Sequence, residues 1–114
     1  MHAFLDIGPL STGHALLVPR QEAEQVHDLT DESAAALGAA LPRLARALMK
    51  ATGAPAYNVL VNNGPLAHQE VPHVHFHIIP KYENGRGLGL EWRAGKVDHA
   101  EAAALAARVR GLMG

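Results

Sequence analysis

The chain has 114 residues, a net charge of −1 and no cysteine. That length fits one domain with one modest core. The near-neutral balance excludes broad attraction to nucleic acid polymers or an anionic membrane, the missing thiols exclude a disulfide framework and a thiolate metal site, and no apolar run approaches a membrane span.

The first ten residues, MHAFLDIGPL, have no basic lead followed by an apolar block, so they do not read as a signal peptide. A cytoplasmic protein is the expectation. Phe4-Leu5-Asp6-Ile7 is a candidate strand, and Gly8-Pro9 and Thr12-Gly13 punctuate the loop after it. His14 to Pro19, HALLVP, reads as a second strand ended by proline.

From Thr30 the period changes. Leu37, Leu41, Leu44 and Leu48 mark one face of a helix. Thr30 suits the N-cap, Asp31 and Glu32 suit the positive end of the dipole, and Gly53 with Pro55 closes the helix. Pro42 inside it removes a hydrogen bond, which predicts one kinked helix or two shorter ones. Tyr57 to Asn62, YNVLVN, is a third strand, stopped by Asn63-Gly64-Pro65. A fourth runs over 73–80. The glycines of 83–95 predict a mobile loop around Trp92, which is expected to pack. Asp98-His99-Ala100-Glu101 resembles a capping box, and Leu105, Val109 and Leu112 mark the face of a C-terminal helix. His2, His27 and His99 read as surface residues, and Arg20 and Lys81 as solvated charges at strand ends.

The composition carries one oddity. There are eight histidines, and four lie between His68 and His77. Three sit in strict alternation in His73 to Pro80, HVHFHIIP. Side chains on a strand alternate faces, so His73, His75 and His77 project together while Val74, Phe76 and Ile78 point to the core. A lone strand histidine is usually decoration. Three together, each with a polar ring to satisfy, point to a site. Two chemistries suit such an edge. Imidazoles ligate zinc, two from one strand and a third from elsewhere. A neutral imidazole also attacks phosphorus, forming a phosphorus–nitrogen bond that water then breaks.

HVHFHII resembles the His-φ-His-φ-His-φ-φ signature of the histidine triad (HIT) family. FLDIGPLSTGHALLVPR resembles its upstream segment, and Asn62-Asn63-Gly64 with His68-Gln69-Glu70-Val71-Pro72 resembles the loop into the triad. The similarity runs from about Phe4 to Lys81. It implies an α+β fold: an antiparallel meander sheet, one long helix packed on it and a C-terminal helix, in a single domain spanning 1–114. It also implies a homodimer. The family usually carries a further N-terminal segment that walls the nucleobase pocket; with Met1 only three residues before Phe4, the expectation is either that this wall is lacking or that the protein's start lies further upstream. The implied activity is hydrolysis or transfer at the α-phosphorus of nucleoside phosphoramidates or dinucleoside polyphosphates. It proceeds through a nucleotidyl-histidine, with no metal or other cofactor. The rivals are a three-histidine metal-dependent hydrolase or metal-binding protein, and a weakly catalytic nucleotide-binding regulator.

Residue by residue, the resemblance makes His75 the nucleophile and His77 a donor to phosphate oxygens or the leaving group. His73 orients the cluster, and His14 packs against it. Asp6 accepts from ribose hydroxyls, with Ile7 beside the base. Asn62 and Gln69 contact phosphate or its leaving group, helped by the backbone N–H of Glu70. Asp6 has a second reading as a turn acceptor before Gly8-Pro9, and Asn62 as a strand terminator. The chain departs from the family at His68, where glycine is common, and at Glu70, where some relatives have a hydroxyl; the Glu70 side chain is expected to point away from phosphate. It also lacks the Cys-x-x-Cys with which some bacterial relatives bind structural zinc.

Overall fold

The computed structural model describes residues 1–114. Four strands, β1 (His2–Leu5), β2 (Ala15–Val18), β3 (Ala56–Val61) and β4 (Phe76–Lys81), and two α-helices, α1 (Asp31–Thr52) and α2 (His99–Leu112), follow in the order β1-β2-α1-β3-β4-α2. The sheet is wholly antiparallel, and the α+β class stands. Its strand order is β1-β2-β4-β3, not that of a sequential meander. The long α1 connection carries the chain past the centre to the outer edge, so β4 returns between β2 and β3.

Register separates the two faces of the sheet. Leu17 lies opposite Phe76, and Ala15 opposite Ile78. Leu17, Ile78 and Leu37 of α1 form the buried core, flanked by Leu41, Leu44 and Leu48. The face covered by α1 is therefore the odd-numbered side of β2. The other row, Phe4 beside Leu16, Leu16 beside His77 and His77 beside Leu60, belongs to the opposite face. His77 of β4 projects from the side that no helix covers.

α1 is one helix through Pro42. Proline there leaves the Gly38 carbonyl without its usual N–H, but Gly38 and Pro42 are both exposed, so water can satisfy it. The Thr30 hydroxyl accepts the Ser33 N–H at 3.1 Å. Gly53, at φ 69°, closes the helix in the left-handed conformation.

The expected fourth strand starts late. The Val74 N–H donates to the Ala23 carbonyl at 2.8 Å, so residues 73–75 run along the loop after β2 and not along β2 itself. The alternation survives: Val74 and Ile78 are fully buried. Beyond Lys81, Tyr82 and Arg86 form a hydrogen-bonded turn, and 88–97 have neither helix nor strand. Trp92 does not pack as expected but is 81% exposed. Every residue of α2 is exposed. The radius of gyration is 16.5 Å, against roughly 13 Å for a compact chain of this length, because the C-terminal arm stands off the body.

Candidate active site

A cleft of about 810 Å³ opens on the uncovered face of the sheet, with Asp6 and Ile7 on one flank, His75 and His77 in its floor, and His68 and Glu70 on the other flank. The topology builds it. β4 is central, the loop after β1 approaches from one side, and the loop after β3 approaches from the other.

The loop over 6–14 is pinned before it offers any chemistry. The Ser11 hydroxyl, fully buried, donates to the Pro80 carbonyl at 2.6 Å. The Tyr82 hydroxyl donates to the Thr12 carbonyl at 2.6 Å. His14 is thereby held 4% exposed beneath the triad.

Backbone groups then dictate where the ring protons sit. The Leu10 N–H donates to His14 Nδ1 at 3.1 Å, so neutral His14 carries its proton on Nε2. That Nε2–H donates to His77 Nδ1 at 2.9 Å. His77 consequently carries its own proton on Nε2. His75 is fixed separately: its Nδ1–H donates to the His73 carbonyl at 2.8 Å. This leaves the Nε2 lone pair of His75 free. The rings of His75 and His77 meet edge to face at 5.0 Å between centroids. A nucleophilic nitrogen and a donor N–H thus stand side by side.

Burial lowers the pKa of His14, opposed by the Asp6 carboxylate. Burial lowers that of His77 as well, reinforced by His75 and His14 and again opposed by Asp6. Both shifts favour the neutral tautomers that the hydrogen bonds require.

Asp6, His14 and His77 bring their ligand atoms within 4.8 Å of one another, a spacing compatible with a metal ion. The His14 hydrogen bonds oppose that use. A neutral imidazole that ligates through Nε2 must carry its proton on Nδ1, where the Leu10 N–H already donates. The donor set does not fit a metal without breaking that bond.

The other expected residues divide. Asp6 serves the turn and the site together: Oδ1 accepts the Gly8 N–H at 2.8 Å, and Oδ2 lies 3.5 Å from His14 Nε2. Ile7 lies on the cleft rim with no packing behind it, at 103% exposure. The Asn62 side chain lines the cleft and makes no hydrogen bond within the chain, and the Glu70 N–H is likewise unused. Glu70 lies on the cleft wall, exposed and without a cationic partner, where its side chain was expected to turn away. Gln69 does not fit its expected role. It is 8% exposed, its Oε1 accepts the Gly64 N–H at 2.7 Å, and its amide donates to the Glu24 and Val71 carbonyls. It braces the loop, with both ends of its amide engaged within the chain. The His73 ring turns aside, its Nε2 3.3 Å from the Pro19 carbonyl; its own carbonyl does the orienting.

Sequence reasoning missed Leu10 and Ser11. Each acts through a backbone group or a backbone partner, which no side-chain pattern reveals. It also missed the apolar groove of about 410 Å³ beside His75, lined by His2, Phe4, Leu16, Val18, Val71 and His73. Phe4, Leu16 and Val18 were read only as strand residues.

Fold and site together define an α+β protein with a hydrogen-bonded histidine cluster in an open cleft. The chain belongs to the HIT domain family, whose match covers residues 1–84. It is 50% identical over 103 residues to adenosine 5'-monophosphoramidase hnt1 of Schizosaccharomyces pombe, covering 90% of this chain and 74% of that protein. It is 48% identical over 97 residues to adenosine 5'-monophosphoramidase HNT1 of Saccharomyces cerevisiae, covering 85% of this chain but only 59% of that protein. Among solved structures, a hypothetical protein from Leishmania major superposes with a TM-score of 0.91 at 49% identity, over 97% of this chain and 79% of that one.

Proposed function

We propose that the protein is a nucleotide hydrolase that cleaves nucleoside phosphoramidates at the α-phosphorus through a covalent nucleotidyl-His75, with dinucleoside polyphosphates as a second substrate class. The observation that carries this reading is the 2.8 Å bond from His75 Nδ1–H to the His73 carbonyl, which makes Nε2 the lone-pair nitrogen of the neutral ring in a residue that lines the cleft. Two relatives at about half identity are named adenosine 5'-monophosphoramidases.

In this reading the His75 Nε2 lone pair attacks phosphorus as the bond to the leaving nitrogen breaks. The departing nitrogen takes that bond's electron pair and a proton from solvent, while His77 Nε2–H stays on its neutral ring and donates a hydrogen bond to a phosphate oxygen or to the leaving nitrogen. Water then attacks phosphorus, the bond to His75 breaks, and the free imidazole returns. Asn62 and the Glu70 N–H bind phosphate oxygens, and Asp6 Oδ2 accepts from ribose. The Phe4–Leu16 groove gives the base an apolar wall that Ile7, fully exposed, does not.

The proposal includes a homodimer and a cytoplasmic setting. The dimer is supported by the unpartnered α2 arm and by β3, an edge strand with Tyr57 and Val59 44% and 43% exposed; such edges invite pairing. The setting rests on the cysteine-free composition.

The test is rapid acid-free quench of purified protein with adenosine 5'-phosphoramidate in EDTA. An adenylylated peptide containing His75 is expected within the first turnover. Turnover without any adduct, or activity abolished by the chelator, would sink this reading.

A further inference from the structure

His68 has a backbone that its side chain does not explain. It is the only residue other than glycine with positive φ, at 69°. Side chains rarely adopt that region, although histidine enters it more readily than most. The conformation is the left-handed cap of the short helical turn Pro65–Ala67, which glycine or asparagine fills without strain, so the backbone gives no reason for an imidazole there. Its ring makes no hydrogen bond, ion pair or aromatic contact within the chain, and the residue is exposed; only its backbone N–H is used, donating to the Pro65 carbonyl at 3.1 Å. The fold gains nothing from the imidazole.

The site can gain from it. His68 lines the same cleft as His75 and His77. It follows β3, while Asp6 follows β1, and β4, which begins just after His75, lies between those flanks. An in-line displacement sends the leaving group away from His75 and out of the cleft floor; with ribose toward Asp6, as the proposed function has it, the flank left for that group is the 62–70 loop. The loop itself is firm, braced by Gln69 through the Gly64 N–H and two carbonyls. A ring on a firm loop, with both nitrogens unused, is a reader of polar atoms beyond the scissile bond.

We propose that His68 is a specificity-determining residue that hydrogen-bonds the leaving group, so that the enzyme prefers amines bearing a polar atom a few bonds from the departing nitrogen. The inference rests on the phosphoramidase reading of the same cleft. It predicts which phosphoramidates are processed best, not whether they are processed.

The experiment compares two adenosine phosphoramidates of equal length, one made with ethanolamine and one with propylamine. Wild-type protein, His68→Gly and His68→Asn are assayed for kcat and KM. Glycine and asparagine both tolerate positive φ, so melting temperatures are expected to be no lower than that of the wild type. The ethanolamine-to-propylamine ratio of kcat/KM should fall at least 5-fold in His68→Gly and be partly restored in His68→Asn. The comparison of ratios cancels the different basicities of the amines. An unchanged ratio, or an equal loss on both substrates, would overturn the role of His68 while leaving the phosphoramidase reading intact. Wild-type protein inactive on both would instead overturn that reading, and this inference with it.

Discussion

His14 and His77 share one proton-directed contact: Nε2–H of the buried ring reaches Nδ1 of the cleft ring at 2.9 Å. It requires His77 Nδ1 unprotonated, while a neutral His14 is what keeps Nδ1 open to the Leu10 N–H. Protonating His77 on Nδ1 would remove the acceptor and set two donors against each other. Burial lowers both pKa values, which protects the contact.

The sign of the pH dependence follows. An unfolded histidine titrates at about 6.5, and in the folded protein His14 and His77 titrate lower. Between those values the unfolded chain binds more protons, so stability rises with pH there. It is fully present above about 6.5 and is lost as pH falls toward the lowered folded values. Urea titrations from pH 7.5 to 5 should show this decline, and His77→Asn should flatten it. The acid limb of activity should belong to the cluster as a whole and not to one ring. A stability that grows on acidification through this window would contradict the relay.

The nucleophile and the donor are separable by mutation. His75→Ala should reduce turnover to background, because no other ring presents an unprotonated nitrogen beside a donor. His77→Asn should lose about 10²-fold, the scale of one misplaced donor to developing charge. Both variants should keep their melting temperatures within a few degrees, since both rings are only half-buried. An active His75→Ala would remove covalent catalysis from consideration.

Much of this arrangement was legible in the residues. Alternation placed His75 and His77 on one face because strand geometry allows nothing else, even where 73–75 lack ladder bonds. Leucine spacing gave α1, since the period of a helix is written in its buried face. What stayed hidden was tertiary. The Leu10 N–H and His73 carbonyl that fix the tautomers have no side-chain signature. Gln69 looked like a ligand because an amide suits phosphate and a loop brace equally well. The strand order depends on where a 22-residue helix delivers the chain, which no local pattern specifies. The apolar face of α2 was readable, but not that it would find nothing to cover it within its own chain.

Gly13 ties the fold to the chemistry. Its φ is +88°, and a Cβ there would lie 2.6 Å from Thr52 Cγ2. Gly13→Ala therefore meets both backbone strain and a clash with the end of α1. The expected loss of stability is about 1–3 kcal/mol, seen as a lower urea midpoint. The loop that holds Asp6 and His14 should shift with it and lower kcat. Adding Thr52→Ser deletes the clashing methyl but keeps the hydroxyl that donates to the Leu48 carbonyl. The double variant should recover part of both losses; no recovery would mean that strain alone governs the position.

Gln69 predicts a different signature. Gln69→Leu is close in volume but leaves the Gly64 N–H and the Glu24 and Val71 carbonyls without their amide partner. Loss of such partners costs about 1–3 kcal/mol. Because the 62–70 loop carries Asn62 and the Glu70 N–H, KM should rise more than kcat falls. A direct substrate contact would instead leave the melting temperature unchanged, so calorimetry beside kinetics tells the two roles apart.

The last prediction concerns the arm. Leu105, Val109 and Leu112 lie on α2 at 62%, 46% and 77% exposure. Spaced four and three apart, they form one apolar stripe, and the extended 88–97 segment carries Leu90 and Trp92 beside it in sequence, both exposed as well. A monomer would leave this surface in water at about 25 cal/mol per Å². A second copy of the chain can cover it by a two-fold contact, in which each arm meets the same surface on its partner. Sedimentation should therefore give a dimer. Leu105→Glu with Val109→Glu should drive it to a monomer at micromolar concentration, without unfolding the sheet, because α2 contributes nothing to the core. Circular dichroism would show the fold retained. A wild-type monomer at all concentrations, or a dimer indifferent to both charges, would move the interface away from α2, with the open edge of β3 as the next face to test.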